Sequence, residues 1–215
     1  MTKIPAATDE YGDSALSPDL RTLSLSTSHM RIVFIGPPGS GKGTQAQRLK
    51  DYLDVAHLST GEMLRDADQA GTKLGREAVR FMNAGQLVPD DVVVGIVIER
   101  LREKDCERGC LFDGFPRTVP QAEVLDRLLG QDKMPLDLVI ALDVAEPLLV
   151  ERLLARGRPD DDRETIRERF RQYHQMTEPL LDYYRNSGVL AQIAAEGTPE
   201  EVFHKVKAAV DATSG

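Results

Sequence analysis

A lysine framed by glycines stands where a phosphate group can be cradled: Gly36-Pro37-Pro38-Gly39-Ser40-Gly41-Lys42-Gly43-Thr44. Glycines let successive backbone N–H groups turn toward one oxyanion, and a helix starting there adds its positive end. The ammonium of Lys42 reaches outer phosphates. The loop follows an apolar run, Arg31 to Gly36 (RIVFIG), and opens an amphipathic stretch, Gly41 to Leu53. That strand–loop–helix setting separates it from a mere glycine-rich turn. Gly43 intervenes between Lys42 and Thr44, whereas the general nucleotide-binding loop has Ser or Thr directly after the lysine. The departure weakens a reading as an unspecialised nucleoside triphosphatase.

Three further stretches carry groups suited to phosphate and base recognition: Leu58-Ser59-Thr60-Gly61-Glu62-Met63-Leu64-Arg65, Gly85-Gln86-Leu87-Val88-Pro89-Asp90, and Asp113-Gly114-Phe115-Pro116-Arg117 with Gln121 four residues on. Arginine presents a planar fork that matches phosphate oxygens in pairs. The amide of Gln121 offers one donor side and one acceptor side, as a nucleobase edge does. Each has a plainer reading: Arg65 as a solvated helix residue, Thr60 as part of a helix start, Gln121 as the partner of Thr118 in a capping box, and Asp113 as a turn cap. Their joint order along the chain favours the site.

Seven arginines and no lysine lie between Arg152 and Arg171. Asp160, Asp161, Asp162, Glu164 and Glu168 are interspersed, so a helix face laced with ion pairs accounts for Arg163, Arg167 and Arg171. Arg152 and Arg156 are four apart and share a helix face.

The elements that must position these groups alternate. Apolar runs at Leu111 to Asp113, Leu138 to Leu142 and Val189 to Ile193 join RIVFIG as expected strands. Helices are expected near 60–70, 73–84, 90–104, 120–129, 147–156, 163–186 and 199–212. Ser59 with Glu62, Thr118 with Gln121 and Thr198 with Glu201 have capping-box spacing, Pro199 suits a first helical position and Gly85 suits a helix stop. Buried strands alternating with helices predict an α/β fold, a parallel sheet covered on both faces that binds ligands at the carboxyl ends of its strands.

A chain of 215 residues, 41% hydrophobic, supports one sizeable core. The net charge of -8 speaks against a nucleic-acid partner. No apolar run approaches the ~20 residues that span a membrane. Cys106 and Cys110 are the only cysteines, which fits reduced thiols in a cytoplasmic setting and leaves too few ligands for a zinc site. Nine of the first 29 residues are Ser or Thr, without periodicity. They read as a disordered N-terminal extension, 1–29, ahead of a single domain, 30–215.

GPPGSGKGT and DGFPR, spaced as they are, resemble the adenylate kinase family, and the resemblance covers essentially all of 30–215. It implies a nucleotide-triphosphatase-type parallel sheet, a small helical acceptor-binding segment at about 59–88, and a lid at about 156–163. Only Gly157-Arg158-Pro159-Asp160-Asp161-Asp162 stand between Arg156 and Arg163, so the lid is of the short form. The resemblance implies reversible phosphoryl transfer from MgATP to AMP giving ADP, by a monomer that uses Mg²⁺ and no zinc. It gives the ATP phosphates to Gly39, Ser40, Gly41, Lys42, Gly43 and Thr44. Arg152 and Arg156 would lie over ATP, and the backbone of Pro199 beside its adenine. AMP would be held by Thr60, Arg65, Gln86, Leu87, Val88, Gly114, Phe115, Pro116, Arg117 and Gln121. Lys42, Arg117, Arg156, Arg158 and Arg169 would surround the transferring phosphoryl group, with Arg158 and Arg169 also touching AMP. Asp113 would orient Mg²⁺ through water. A UMP/CMP kinase is the near alternative, but such relatives carry Ala where Thr60 stands and Asn where Thr118 stands. A catalytically silent nucleotide-binding protein is the other, and the retained Lys42 and arginine set count against it.

Overall fold

Ile32 to Ile35 and Leu138 to Leu142 are buried without interruption, as strands covered on both faces must be. The computed structural model describes residues 30–131 and 133–213; the expected extension, 1–29, lies outside them. Among the described residues the strands are β1 (Arg31–Ile35), β2 (Ala56–Ser59), β3 (Cys110–Asp113), β4 (Leu138–Asp143) and β5 (Leu190–Ala194). They pair in parallel in the order β2-β3-β1-β4-β5. The helices are α1 (Lys42–Leu53), α2 (Thr60–Gln69), α3 (Lys73–Asn83), α4 (Asp90–Leu101), α5 (Val119–Gln131), α6 (Glu146–Arg156), α7 (Arg163–Gln172), α8 (Pro179–Asn186) and α9 (Pro199–Thr213).

The strand period of two divides the core. Ile32 and Phe34 pack with Leu49 of α1, Leu153 of α6, Phe170 of α7 and Val206 of α9. Val33 and Ile35 point the other way, toward Val97 of α4, Leu125 of α5 and Tyr184 of α8. The expected α/β architecture is therefore the one observed.

Three local expectations need correction. β2 was not expected as a strand, because four residues containing His57 show no readable period; pairing with β3, from Ala56↔Cys110 to Ser59↔Asp113, is what makes it one. The stretch 163–186 is not one helix: α7 passes through a π-helical turn, Tyr173–Thr177, into α8. Pro179 supplies the reason, since it has no N–H to donate and its ring clashes with the carbonyl four residues earlier. The helix begun at Asp90 stops at Leu101 and is followed by a 3₁₀ turn, Lys104–Arg108.

Of the capping boxes, Thr198 and Glu201 close theirs reciprocally, with the Thr198 N–H donating to Glu201 at 2.7 Å and the Glu201 N–H to Thr198 Oγ1 at 3.3 Å. Ser59 makes no side-chain cap on α2, because it is still the last paired residue of β2. Gly85 ends α3 with φ +70°, and a Cβ there would lie 2.8 Å from the Thr165 carbonyl oxygen of α7. The Thr165 hydroxyl donates to the Asn83 carbonyl at 3.3 Å beside it, so the end of α3 docks on α7 through backbone.

Gly85→Ala adds both a left-handed backbone penalty and this clash. We expect stability to fall by about 2 kcal/mol and Tm by roughly 4–8 °C in thermal melts. Gly130→Ala, where an added Cβ meets nothing within 4 Å, should not lower Tm.

Candidate active site

Parallel pairing brings the carboxyl ends of β1, β2 and β3 to one edge, where they run into the phosphate loop, α2 and the Asp113–Arg117 turn. A cleft of about 780 Å³ opens there, within the size range of small-molecule sites. Gly41 caps α1 with φ 94° and no side chain bonds that terminus. Its first-turn N–H groups therefore remain open to an anion. α2 likewise has no side-chain cap.

Lys42 curls back over the loop, its Nζ 2.7 Å from the Gly36 carbonyl oxygen and 3.0 Å from that of Pro37. Burial deep in the cleft lowers its pKa from 10.5 to about 8, against the pull of Asp113, with Arg117 and Arg156 lowering it further. Asp113 ends β3. Burial raises its carboxyl, but the nearby His57 ring and the charges of Lys42 and Arg117 outweigh this and hold it below the usual carboxylate range. His57 Nε2 lies 3.6 Å from Asp113 Oδ2, and Thr60 Oγ1 donates to the Gly114 carbonyl at 3.0 Å. β2 and the Asp113 turn are thus joined at the cleft floor.

The arginines converge from separate elements: Arg65 from α2, Arg117 from the turn after β3, Arg156 from the end of α6, Arg158 from the link and Arg169 from α7. Their charges oppose one another. Burial, then Arg156, Arg117, Arg158 and Arg65, lower Arg169; burial, then Arg156 and Arg65, lower Arg158. Arg117 is open to the cleft, yet the protein packed about it lowers it too, with Asp113 offsetting and Arg65 adding. Asp161, its side chain 1% exposed, is the counterweight. It accepts from Arg156 Nε at 2.9 Å and Nη2 at 2.7 Å, from the Arg158 N–H at 3.1 Å and from Arg169 Nη1 at 3.1 Å. Asp160 pairs with Arg169 as well. Among the described residues no carboxylate pairs with the Arg158 guanidinium, although Asp160, Asp161 and Asp162 follow it in the chain.

The structure brings every expected site residue to the cleft except Phe115, which is 1% exposed within the core. Pro199 borders the cleft, but its carbonyl already accepts from Gln45 Nε2 at 3.0 Å. Gln121 completes only one half of the expected capping box: its N–H donates to Thr118 Oγ1 at 3.3 Å, while its side chain bonds the Arg117 N–H and Asp90 instead of reaching back to the Thr118 N–H. Sequence reasoning gave no role to His57, Gln45 or Asp90, although Asp90 closes the Gly85–Asp90 stretch it singled out. For His57 the signal was its position, two residues ahead of Ser59 at a strand end.

Comparison with known proteins agrees with this geometry. A family model described as adenylate kinase matches residues 34–189. An adenylate kinase of Stenotrophomonas maltophilia is 47% identical over 85% of this chain and 100% of its own. One of Leptospira biflexa is 48% identical over 82% of this chain and 97% of its own, and one of Corynebacterium urealyticum 47% over 85% and 99%.

Lys42 yields a prediction about the unliganded fold. Below pH about 8 the lysine is charged both folded and unfolded, so its burial penalty is fully present. Between about 8 and 10.5 the unfolded chain holds a proton that the folded chain has lost, so this residue makes stability climb with pH. Lys42→Met should therefore be at least as stable as wild type at neutral pH, and its advantage should shrink as pH rises toward about 10, read as the Tm difference between the two proteins.

Proposed function

The chain belongs to the adenylate kinase family, and from that premise we propose how its residues divide the work. The reaction is reversible phosphoryl transfer from MgATP to AMP, giving two ADP. The observation that carries our assignment is the convergence of Lys42 and six arginines, Arg152 among them, on one cleft of an acidic chain. Such a cluster is relieved only by a ligand with several negative charges, which two facing nucleotides supply.

The N–H groups of the loop from Gly39 to Thr44 hold the ATP phosphates, that of Ser40 first leaving the Pro37 carbonyl it bonds at 3.2 Å, with Lys42 swinging from the Gly36 and Pro37 carbonyls to the outer ones. Arg152 and the backbone at Pro199 border the ATP adenine. Thr60, Arg65, the backbone of Gln86 to Val88, the turn Gly114 to Arg117, and Gln121 hold AMP, in an acceptor segment at about 59–88. Phe115 supports that turn from the core. Phosphoryl transfer passes through a loose in-line transition state, so positioning and charge neutralisation suffice and no general base is invoked. Lys42, Arg117, Arg156, Arg158 and Arg169 surround the moving group. Asp161 keeps Arg156 and Arg169 extended into the cleft before substrate arrives. Closure of the short lid, about 156–163, excludes water and limits hydrolysis.

Asp113 suits the Mg²⁺ that arrives with ATP: a hard oxygen donor held ionised at the floor of the phosphate site. That ion would neutralise phosphate charge when bound, and Asp113 would hold it through water. The reading needs no zinc. A cytoplasmic monomer is supported by the two free buried cysteines and by a site built from one chain. No described helix is long and apolar enough to cross a membrane.

Coupled assays with AMP, UMP, CMP and GMP test the acceptor directly; equal kcat/KM for AMP and UMP sinks the assignment. Arg158 gives a sharper test. An exposed ion pair would be worth only about 0–1 kcal/mol, and its guanidinium has none. We expect Arg158→Ala to lower kcat at least ~10²-fold with Tm nearly unchanged, and Arg158→Lys to recover only part, since an ammonium lacks the fork. A fully active Arg158→Ala enzyme would remove this residue from the transition state.

A further inference from the structure

Gln121 is 2% exposed at the cleft wall, and both ends of its amide are engaged. Its Oε1 accepts from the Arg117 backbone N–H at 2.7 Å. Its Nε2 donates to Asp90 Oδ1 at 2.6 Å. The other Asp90 oxygen accepts from Thr118 Oγ1 at 3.1 Å, and that hydroxyl oxygen accepts from the Gln121 N–H at 3.3 Å. Asp90 opens α4 and Gln121 lies in the first turn of α5, so the ring of bonds fastens one helix start to the other.

A glutamine amide can ordinarily flip, because its oxygen and nitrogen ends are nearly the same shape. Here a flip would set Oε1 against a carboxylate that has no hydrogen to give, and Nε2 against an N–H that cannot accept. Two hydrogen bonds would be lost and two repulsions made in a buried place, which is costly. One Nε2 hydrogen and one Oε1 lone pair remain for a ligand.

The orientation decides which base fits. Adenine carries an amino donor at position 6 beside a ring-nitrogen acceptor; hypoxanthine and guanine carry a carbonyl acceptor there beside a ring N–H. A freely flipping glutamine pairs with either. We propose that Asp90 is the positioning residue that fixes the Gln121 amide, and that it thereby makes the acceptor site read a 6-aminopurine monophosphate and reject a 6-oxopurine one. The inference rests on the assignment of Gln121 to the acceptor base.

Inosine monophosphate is the suitable probe. It matches AMP in outline and inverts the donor and acceptor, without guanine's extra amino group. The measurement is kcat/KM for AMP and for inosine monophosphate, with MgATP as donor, beside thermal melts. The proteins compared are wild type, Asp90→Ala, Asp90→Asn, Gln121→Ala and Asp91→Ala. Asp90→Ala should narrow the AMP preference at least ~10-fold, the size expected for one well-placed donor–acceptor pair. Asp90→Asn can still accept from Nε2 but can also turn, so it should narrow the preference less, by about threefold. Asp91, exposed on the same first turn, is the control: Asp91→Ala should keep the wild-type ratio. A loss of stability alone would lower both rates and leave the ratio unmoved. If Gln121→Ala narrows the preference while either Asp90 variant keeps the wild-type ratio, the positioning role is overturned and the base-reading role stands. If Gln121→Ala also keeps the ratio, both fall together.

Discussion

Cations that repel one another cannot be packed into a cleft without something to hold them, and that is the constraint this molecule is built around. Lys42, Arg117, Arg158 and Arg169 all have pKa values pushed down, in each case first by burial and then by neighbouring cations. Three carboxylates offset the strain. Asp113 faces Lys42 and Arg117 from the floor; Asp161 gathers Arg156, Arg169 and the Arg158 backbone from the rim, and Asp160 pairs with Arg169 beside it. Together they do not neutralise the cluster. The surplus charge is what a polyphosphate answers, so affinity for substrate and strain in its absence have the same source.

The sheet makes this crowding possible. Parallel strands end together at one edge, and short connections there deliver the phosphate loop, the start of α2 and the Asp113 turn within reach of each other. Burial on both faces fixes β1 and the apolar run of β4, and pairing holds β3 and β2 beside β1. The groups that emerge from the strand ends inherit that rigidity, as precise positioning of a transferring phosphoryl group requires. Thr60 bonding the Gly114 carbonyl, and His57 standing against Asp113, tie the two strand ends at the level of single side chains.

The arginine-bearing part is held differently. The link from Gly157 to Asp162 has no apolar core of its own, so its shape comes from Asp161 beneath it and from Asp162, which caps α7 by accepting from the Glu164 and Thr165 N–H groups, each at 3.0 Å. The Asp161 carboxyl is a case of opposed effects: burial raises it, but the Arg156 and Arg158 contacts prevail and hold it below the usual range. Its stabilising contribution is present above the ordinary carboxylate range and is lost as pH falls through its lowered value. A polar hub can be both firm and adjustable, and on the assignment proposed above substrate phosphates would compete for the same guanidiniums.

The sequence by itself determined the phosphate loop, the parallel α/β architecture and the identity of most groups at the cleft. Glycine spacing, strand runs and the order of GPPGSGKGT and DGFPR are local properties, readable in one dimension. Thr198 with Glu201 and the stop at Gly85 were legible for the same reason: their partners lie within a few residues. Tertiary structure alone decided the rest. β2 exists because β3 lies beside it, the long helix is broken at Tyr173 because Pro179 follows, and Phe115 turns inward although its neighbours line the cleft. Asp161 looked like one of several solvated aspartates, yet burial makes it the hub on which Arg156, Arg158 and Arg169 meet. The amide of Gln121 looked like a cap or a base reader, and only Asp90, from the start of another helix, settles which way it points. A hydrogen bond between residues 31 apart depends on how two helix ends meet, and no local pattern encodes that meeting.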